Sequence, residues 1–217
     1  LADLDQQLRG LRERSKIKKR PEHGYHSQIV TGQDTAKWVQ IDLGQAQAVK
    51  QVTLIGTSDS FNNIGDGFGF PVRYKIEASS DAAFESNVTA VTDKSKADES
   101  NPGIKPQHFK TDHLEGRYIR ITATKLAKRS NDFIFALAEL RVLNASGDNL
   151  ANGKTVIALD SIEAPVRWRK SNLVDGLYPG QATDPAAAKK LETVEDQREK
   201  LIQSILSGEL DDKRQAA

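Results

Sequence analysis

Two short segments combine aromatic rings with side chains that make directional hydrogen bonds. They are residues 61–70 (FNNIGDGFGF) and residues 128–133 (KRSNDF). An aromatic face covers the apolar side of a sugar ring, while Arg and Asn supply donors and acceptors for its hydroxyl groups. We therefore take Asn62, Arg129 and Asn131 as candidates for hydroxyl recognition and Phe68 as the candidate for stacking.

The same residues also have a purely structural interpretation. Phe68 and Phe70 could be buried beneath their own loop, and Arg129 could pair with Asp132 three residues later. An exposed aromatic ring beside Arg129 would favour ligand binding. A loop end filled by its own phenylalanines would favour a structural role.

Catalytic chemistry finds little support in the sequence. There is no cysteine, no His-Glu-x-x-His and no Gly-x-Ser-x-Gly motif, and the four histidines are scattered without the spacing of zinc ligands. The lack of cysteine also excludes disulfides and thiol catalysis. We predict no catalytic residues and expect the protein not to be an enzyme.

Composition limits the possible partners. The chain has 217 residues, 37% hydrophobic and 28% charged, with 31 Lys+Arg against 30 Asp+Glu for a net charge of +1. One core with appendages is therefore expected. Nucleic acid is disfavoured because a broad basic field is missing, and no apolar run approaches the roughly 18 residues of a membrane helix. Because the chain begins at Leu1 and lacks methionine, we expect it to be a segment of a longer protein.

Apolar residues at heptad spacing predict a helix near each end of the chain. The first seam spans residues 1–17, and the second helix is expected from about 184 to 207, with Gly208 ending it. Isolated short helices are marginal in water, so we expect an antiparallel pair forming a stalk. In that pair Leu4, Leu8 and Leu11 would contact Val194, Leu201 and Ile205. The alternative is two amphipathic helices lying separately on a domain surface.

The central region alternates between apolar and polar residues with period two. Such alternation marks residues 38–43, 49–54, 72–78, 118–123 and 137–143, which are separated by clusters of Gly, Pro, Asn and Asp. This pattern is typical of an antiparallel β-sandwich. No strand alternates with a helix of 10–15 residues, which disfavours a βαβ architecture.

Four ordered blocks resemble the discoidin or coagulation-factor C-type family, a galactose-binding-like jelly roll. They are KWVQIDLG at 37–44, PVRYKIEASSD at 71–81, GRYIRI at 116–121 and ALAELRV at 136–142. The resemblance covers about residues 25–145 and implies a jelly-roll fold. The arrangement is also similar to such domains between helical segments in large multi-domain bacterial proteins with cytochrome-c-type modules.

A segment similar to the opening of that family comes after its closing strand. It is NLANGKTVIA at 149–158, continuing to NLVDG at 172–176. Either a second domain starts here and is interrupted by the C-terminal helix, or the segment folds back into the same sandwich. We favour the second possibility, a permuted domain, because it covers the apolar strip at 156–158.

Many members of this family hold a structural calcium ion. Matched residue by residue, the resemblance implies Asp175 and Glu139 as carboxylate ligands, with Asp34 and Thr35 from a nearby loop. Calcium takes six to eight oxygen ligands, so carboxylates, carbonyls and a hydroxyl are chemically suitable. The alternative is that Asp175 belongs to a turn and Glu139 is a capped or exposed strand residue.

Together these observations predict a mainly β protein, an antiparallel β-sandwich jelly roll with two flanking α-helices. The expected domains are an N-terminal helix at 1–20, the sandwich at 21–180, and a C-terminal helix with its tail at 181–217. The resemblance implies a non-catalytic carbohydrate-binding or adhesion module of a larger exported protein, located outside the cytoplasm, with glycans and the parent protein's other domains as partners. The alternative is a structural spacer whose helices mediate association.

Overall fold

The computed structural model describes residues 1–14, 17–18, 23–164, 167–182 and 185–215. The chain divides into two compact units. The larger unit is Lys19–Gly180, and the smaller consists of Leu1–Lys18 together with Gln181–Ala217.

The larger unit is built from antiparallel strands. In chain order they are β2 (Tyr25–His26), β3 (Lys37–Ile55), β4 (Thr57–Asp59), β5 (Gly65–Phe68), β6 (Arg73–Ser79), β7 (Thr89–Lys94), β8 (Gln107–Lys125), β9 (Ala127–Lys128), β10 (Phe133–Ile134), β11 (Ala136–Leu137), β12 (Glu139–Leu143) and β13 (Thr155–Ala158). The two remaining strands, β1 (Ile17–Lys18) and β14 (Gln181–Ala182), belong to the smaller unit and pair with each other. Short 3₁₀ helices cover Phe61–Asn63 and Lys170–Val174.

The principal sheet has the order β12-β3-β8-β6-β7, and β13 also pairs with β3. The sequence predicts two separate strands at 38–43 and 49–54, whereas the structure has one strand, β3, across both. Register shifts against β8 lie between Asp42 and Gln47 and between Val49 and Gln51. Before the second shift the odd-numbered residue Val49 faces the core, and after it the even-numbered residues Val52 and Leu54 do. A β-bulge has this effect, so both halves of β3 contribute to one core.

Residues after the closing strand belong to the same sandwich. β13 pairs with β3 from Thr155 opposite Asp42 to Ala158 opposite Val39. Leu173 and Val174 are buried in the main core. Of the two possibilities that the sequence leaves open, the structure has the one in which this segment folds back.

The smaller unit contains two helices, α1 (Ala2–Arg14) and α2 (Pro185–Gln215). They form an antiparallel pair in which Leu8 and Leu11 are buried against Ala187 and Val194. Ion pairs flank this seam, from Arg12 to Glu195 at 2.9 Å and from Arg198 to Asp5 at 2.7 Å. None of the described helices has the length and apolar character needed to cross a membrane.

Two expectations for the helices are wrong. Leu201 and Ile205 do not join the buried seam and remain 38% and 41% exposed. The reason is that the C-terminal part of α2 extends past the N-terminal end of α1. The helix also continues through Gly208 to Gln215 instead of ending near residue 207. Glycine disfavours a helix interior by only about 1 kcal/mol, which neighbouring helix-forming residues can offset. Residue 184, the expected helix start, lies outside the described residues.

Candidate functional site

A cavity of about 340 Å³ opens among the loops at one end of the sandwich. Its volume is at the lower end of the range for small-molecule sites, about 300–1,000 Å³. The lining residues are His26, Ile29, Asp59, Ser60, Phe61, Phe68, Arg129, Ile162, Arg167 and Trp168. Three other clefts of about 390–410 Å³ have no aromatic side chain among their described lining residues.

The connection between β4 and β5 carries the exposed aromatic ring of this cavity. Asp59 Oδ1 accepts a hydrogen bond from the Phe61 N–H at 2.9 Å, which fixes the start of the turn. Asn62 has φ of 50°, a conformation that asparagine adopts more readily than most residues. Its Nδ2 donates to the carbonyl oxygen of Arg129 at 3.0 Å. Asn62 therefore connects the loop at residues 61–70 to the loop at residues 128–133.

Arg129 pairs with Asp132 and also contacts an aromatic ring of the cavity. Its Nε and Nη2 donate to the two carboxylate oxygens of Asp132 at 2.9 and 2.7 Å. The guanidinium carbon also lies 4.7 Å from the centre of the Phe61 ring. Hydrogen bonding to Arg129 lowers the pKa of Asp132. The ion pair thus holds a guanidinium against an aromatic ring at the cavity wall.

Phe68 was expected to be the stacking platform, but it is part of the cavity floor. It is only 2% exposed and stacks on Trp168, with ring centres 5.9 Å apart and an interplanar angle of 26°. Phe61, in contrast, is 46% exposed. The ring available to a ligand is therefore that of Phe61.

His26 provides a hydrogen-bond acceptor at the floor. Its Nδ1 lies 2.6 Å from the carbonyl oxygen of Ser27. A carbonyl can only accept, so Nδ1 carries the proton and Nε2 is left as an acceptor. Burial lowers the pKa of His26, although its hydrogen bond to Ser27 raises that pKa in part. The imidazole is therefore neutral at pH 7.

The remaining wall comes from residues 159–164 together with Arg167 and Trp168. Asp160 anchors this wall, because its carboxylate pairs with Lys37 and accepts from the Gln28 N–H at 2.8 Å. The Ile162 N–H donates to the carbonyl oxygen of His26 at 3.1 Å. Arg167 forms an ion pair with Asp59 across the cavity.

A family model for the F5/8 type C domain matches residues 15–140, more than half of the chain. The chain belongs to the F5/8 type C domain family. The discoidin or coagulation-factor C-type resemblance of the four sequence blocks is thereby confirmed. The match ends within β12, so β13 and the wall carrying Arg167 and Trp168 lie outside it. No curated protein is similar enough to the chain to count as a relative.

Solved structures similar to this F5/8 type C domain include several carbohydrate-binding modules. Chitosan-binding module 1 from a chitosanase/glucanase of Paenibacillus sp. IK-5 has 18% identity and a TM-score of 0.41, covering 54% of this chain and 74% of that one. The family 32 module of NanJ from C. perfringens, in complex with galactose, has 18% identity and a TM-score of 0.42, with coverages of 57% and 77%. CBM32-3 from a family 31 glycoside hydrolase of Clostridium perfringens has 23% identity and a TM-score of 0.41, with coverages of 55% and 74%.

Three of the four predicted ligand residues of the F5/8 type C domain meet at the cavity. Arg129 and Phe68 line it, and Asn62 supports it through the Arg129 carbonyl. Asn131 is exposed in the turn between β9 and β10 and is not a lining residue. His26, Asp59 and the wall residues are distant from one another in the chain and carry no local motif, so the sequence alone does not indicate them.

The predicted metal ligands of the F5/8 type C domain are only partly brought together. Glu139 is fully buried, and both its carboxylate oxygens lie 3.3 Å from the Gly176 N–H. Burial, together with the nearby carboxylate of Asp175, raises the pKa of Glu139 to about 9. A cation bound by Glu139 and Asp175 would favour the ionised form of Glu139.

Asp34 and Thr35 lie in the turn before β3, where the Thr35 N–H contacts the Gly32 carbonyl oxygen at 3.4 Å. Among the residues that the structure describes, no three His, Asp or Glu side chains are grouped as a metal site. The expected ligand set is therefore not assembled as one group. Calcium binding stays a prediction from the resemblance, with Glu139 and Asp175 as the residues that would hold the ion.

Proposed function

We propose that this F5/8 type C domain is a carbohydrate-binding module whose ligand site is the loop-end cavity. The observation that carries the proposal is the exposed Phe61 ring beside Arg129. This is the arrangement that distinguishes a binding site from a loop end filled by its own phenylalanines. Phe68 does fill part of the floor, but the cavity above it remains open.

Each group has a role that sugar chemistry requires. Phe61 presents an aromatic face to the apolar side of a pyranose ring. Arg129 donates to ring hydroxyls with the N–H groups that Asp132 does not use, and His26 Nε2 accepts from a hydroxyl. The cavity is small and half open, so each site binds weakly, since few contacts offset the lost freedom of the sugar.

The experiment is a glycan-array screen, followed by titration calorimetry of the best ligand with single variants. Phe61→Ala should weaken binding at least tenfold without a large change in melting temperature. Phe84→Ala is the matched control, because the Arg120 guanidinium also lies over the Phe84 ring, at 4.0 Å, outside the cavity. Asn131→Ala should bind as the parent does.

Two results would contradict this site. Loss of binding in Phe84→Ala but not in Phe61→Ala would move the site to another surface. A parent protein that bound no glycan, with and without calcium, would favour the spacer role, in which the helices mediate association.

We further propose that the module is non-catalytic and serves a larger exported protein. Glycoside hydrolysis typically uses a pair of carboxyl groups that flank the scissile bond, whereas Asp59 is the one carboxyl group among the described lining residues of the cavity. Incubation with any bound oligosaccharide should therefore release no new reducing ends. Localisation of the full-length parent outside the cytoplasm would support the second part of the proposal.

A further inference from the structure

The ion pair between Arg167 and Asp59 exposes its positive group to a ligand and buries its negative group. The Arg167 side chain is 50% exposed, whereas that of its partner Asp59 is only 6% exposed. Asp132, which pairs with Arg129, is not among the lining residues. The cavity lining therefore contains two guanidinium groups, and at Arg167 a ligand meets the guanidinium before the carboxylate of Asp59.

The hydrogen-bonding capacity of the cavity has the same asymmetry. A guanidinium has five N–H donors; Arg129 uses two of them on Asp132 in the described hydrogen bonds, and Arg167 uses one on Asp59. The carboxylate of Asp59 is engaged through both oxygens, one by Arg167 and the other by the Phe61 N–H. The two guanidinium groups therefore have N–H donors to spare, while each oxygen of the Asp59 carboxylate already accepts one hydrogen bond.

We infer that the site selects sugars without a free amino group, and that Arg167 is the residue that determines this specificity. The inference rests on the proposed function. Hydroxyl and acetamido groups offer oxygen acceptors to the spare N–H donors. An ammonium group offers only donors and carries a charge that both guanidiniums repel. The ligand class is thus a neutral or N-acetylated pyranose, and free amino sugars are rejected.

Arg167 lies outside the region that matches the family model, which ends at residue 140. Its wall is held in place by Asp160, through Lys37 and the backbone of Gln28. Charge selection at this site is therefore supplied by a part of the chain that lies beyond the matched region.

The test compares galactose with galactosamine, and glucose with glucosamine, by calorimetry or NMR titration at two pH values. The members of each pair differ in one substituent, a hydroxyl or an amino group. At pH 6.5, below the usual range for an amine, the amino sugar should bind the parent roughly tenfold more weakly or worse. At pH 9 the amine loses its charge and the difference should nearly vanish. Burial lowers the pKa of His26, which favours the neutral imidazole at both pH values.

Variants then test the assignment to Arg167. Arg167→Gln should reduce the discrimination at pH 6.5 at least threefold, and Arg167→Lys should retain it. Because Arg167→Gln leaves Asp59 buried without its cation, the double variant Arg167→Gln/Asp59→Asn provides a neutral pair whose two amides can still form a hydrogen bond. Arg73→Gln is the control, since Arg73 pairs with Asp98 outside the cavity.

The possible failures are distinguishable. If the parent binds neither neutral hexose, the proposed function fails and this inference fails with it. If galactosamine at pH 6.5 binds as well as galactose, the charge selection is wrong and the carbohydrate site stands. If the discrimination is unchanged in both Arg167→Gln and the double variant, Arg167 is not the determinant.

Discussion

Replacing Leu8 with alanine tests the helical pair most directly, because this side chain is only 3% exposed and packs against α2. The substitution removes three carbon atoms, each contributing about 0.8 kcal/mol when buried, or about 2.4 kcal/mol in all. A residual cavity adds to this cost. Only two helices surround the site, so we expect it to collapse and the total to remain about 2–3 kcal/mol.

Native-state hydrogen exchange of the α2 amides measures this effect. A loss of about 2.4 kcal/mol corresponds to exchange roughly 50-fold faster in Leu8→Ala. Leu201→Ala is the matched control on the exposed part of the same heptad pattern, and it should change exchange less than about fivefold. Equal effects of the two substitutions would refute the packing described here. A larger effect of Leu201→Ala would show that the extended part of α2 is covered.

Three further predictions concern the sandwich. Deleting residues 149–180 should abolish the cooperative melt, since it removes β13 and the buried Leu173; a fully cooperative variant would contradict this. Burial keeps His26 neutral in the folded state, so the unfolded state binds more protons and stability should fall as pH drops below about 6.5. His26→Gln should remove this pH dependence of the unfolding free energy, as measured by urea titrations at several pH values. An unchanged pH profile in His26→Gln would contradict the assignment to His26. Calcium should raise the melting temperature of the parent but not that of Glu139→Gln. Asp34→Asn should respond to calcium like the parent. Loss of the calcium response in Asp34→Asn would show that the turn before β3 belongs to the calcium site.

Much of the fold could be predicted because core strands carry local information. Alternation of apolar and polar residues marks the strands directly, and Tyr74 and Tyr118, which lie in two of the four sequence blocks, are buried. The joining of two predicted strands into β3 could not be seen, because a bulge interrupts the period without ending the strand. The end of α2 was misplaced because Gly208 was read as a stop signal, and local propensity does not decide helix length.

The candidate site could be predicted only where a single loop defines it. The composition of residues 61–70 pointed to an aromatic ligand site, but it could not show which ring is exposed. That choice depends on Trp168, which covers Phe68 from a segment a hundred residues later. Likewise, the pairing of Arg167 with Asp59 joins residues without a shared motif. Such contacts are set by tertiary packing and leave no spacing in the sequence.

The pairing of β13 with β3 has a consequence for how the protein folds. These strands are more than 100 residues apart along the chain, and the entropy of closing such a long loop must be offset before their contacts can stabilise the sandwich. During synthesis, the edge of β3 at 39–42 stays unpaired until the C-terminal segment has left the ribosome. The wall that carries Arg167 follows β13 in the chain, so it leaves the ribosome after β13. If the cavity binds a sugar as proposed, binding would therefore report that the C-terminal part of the sandwich has docked.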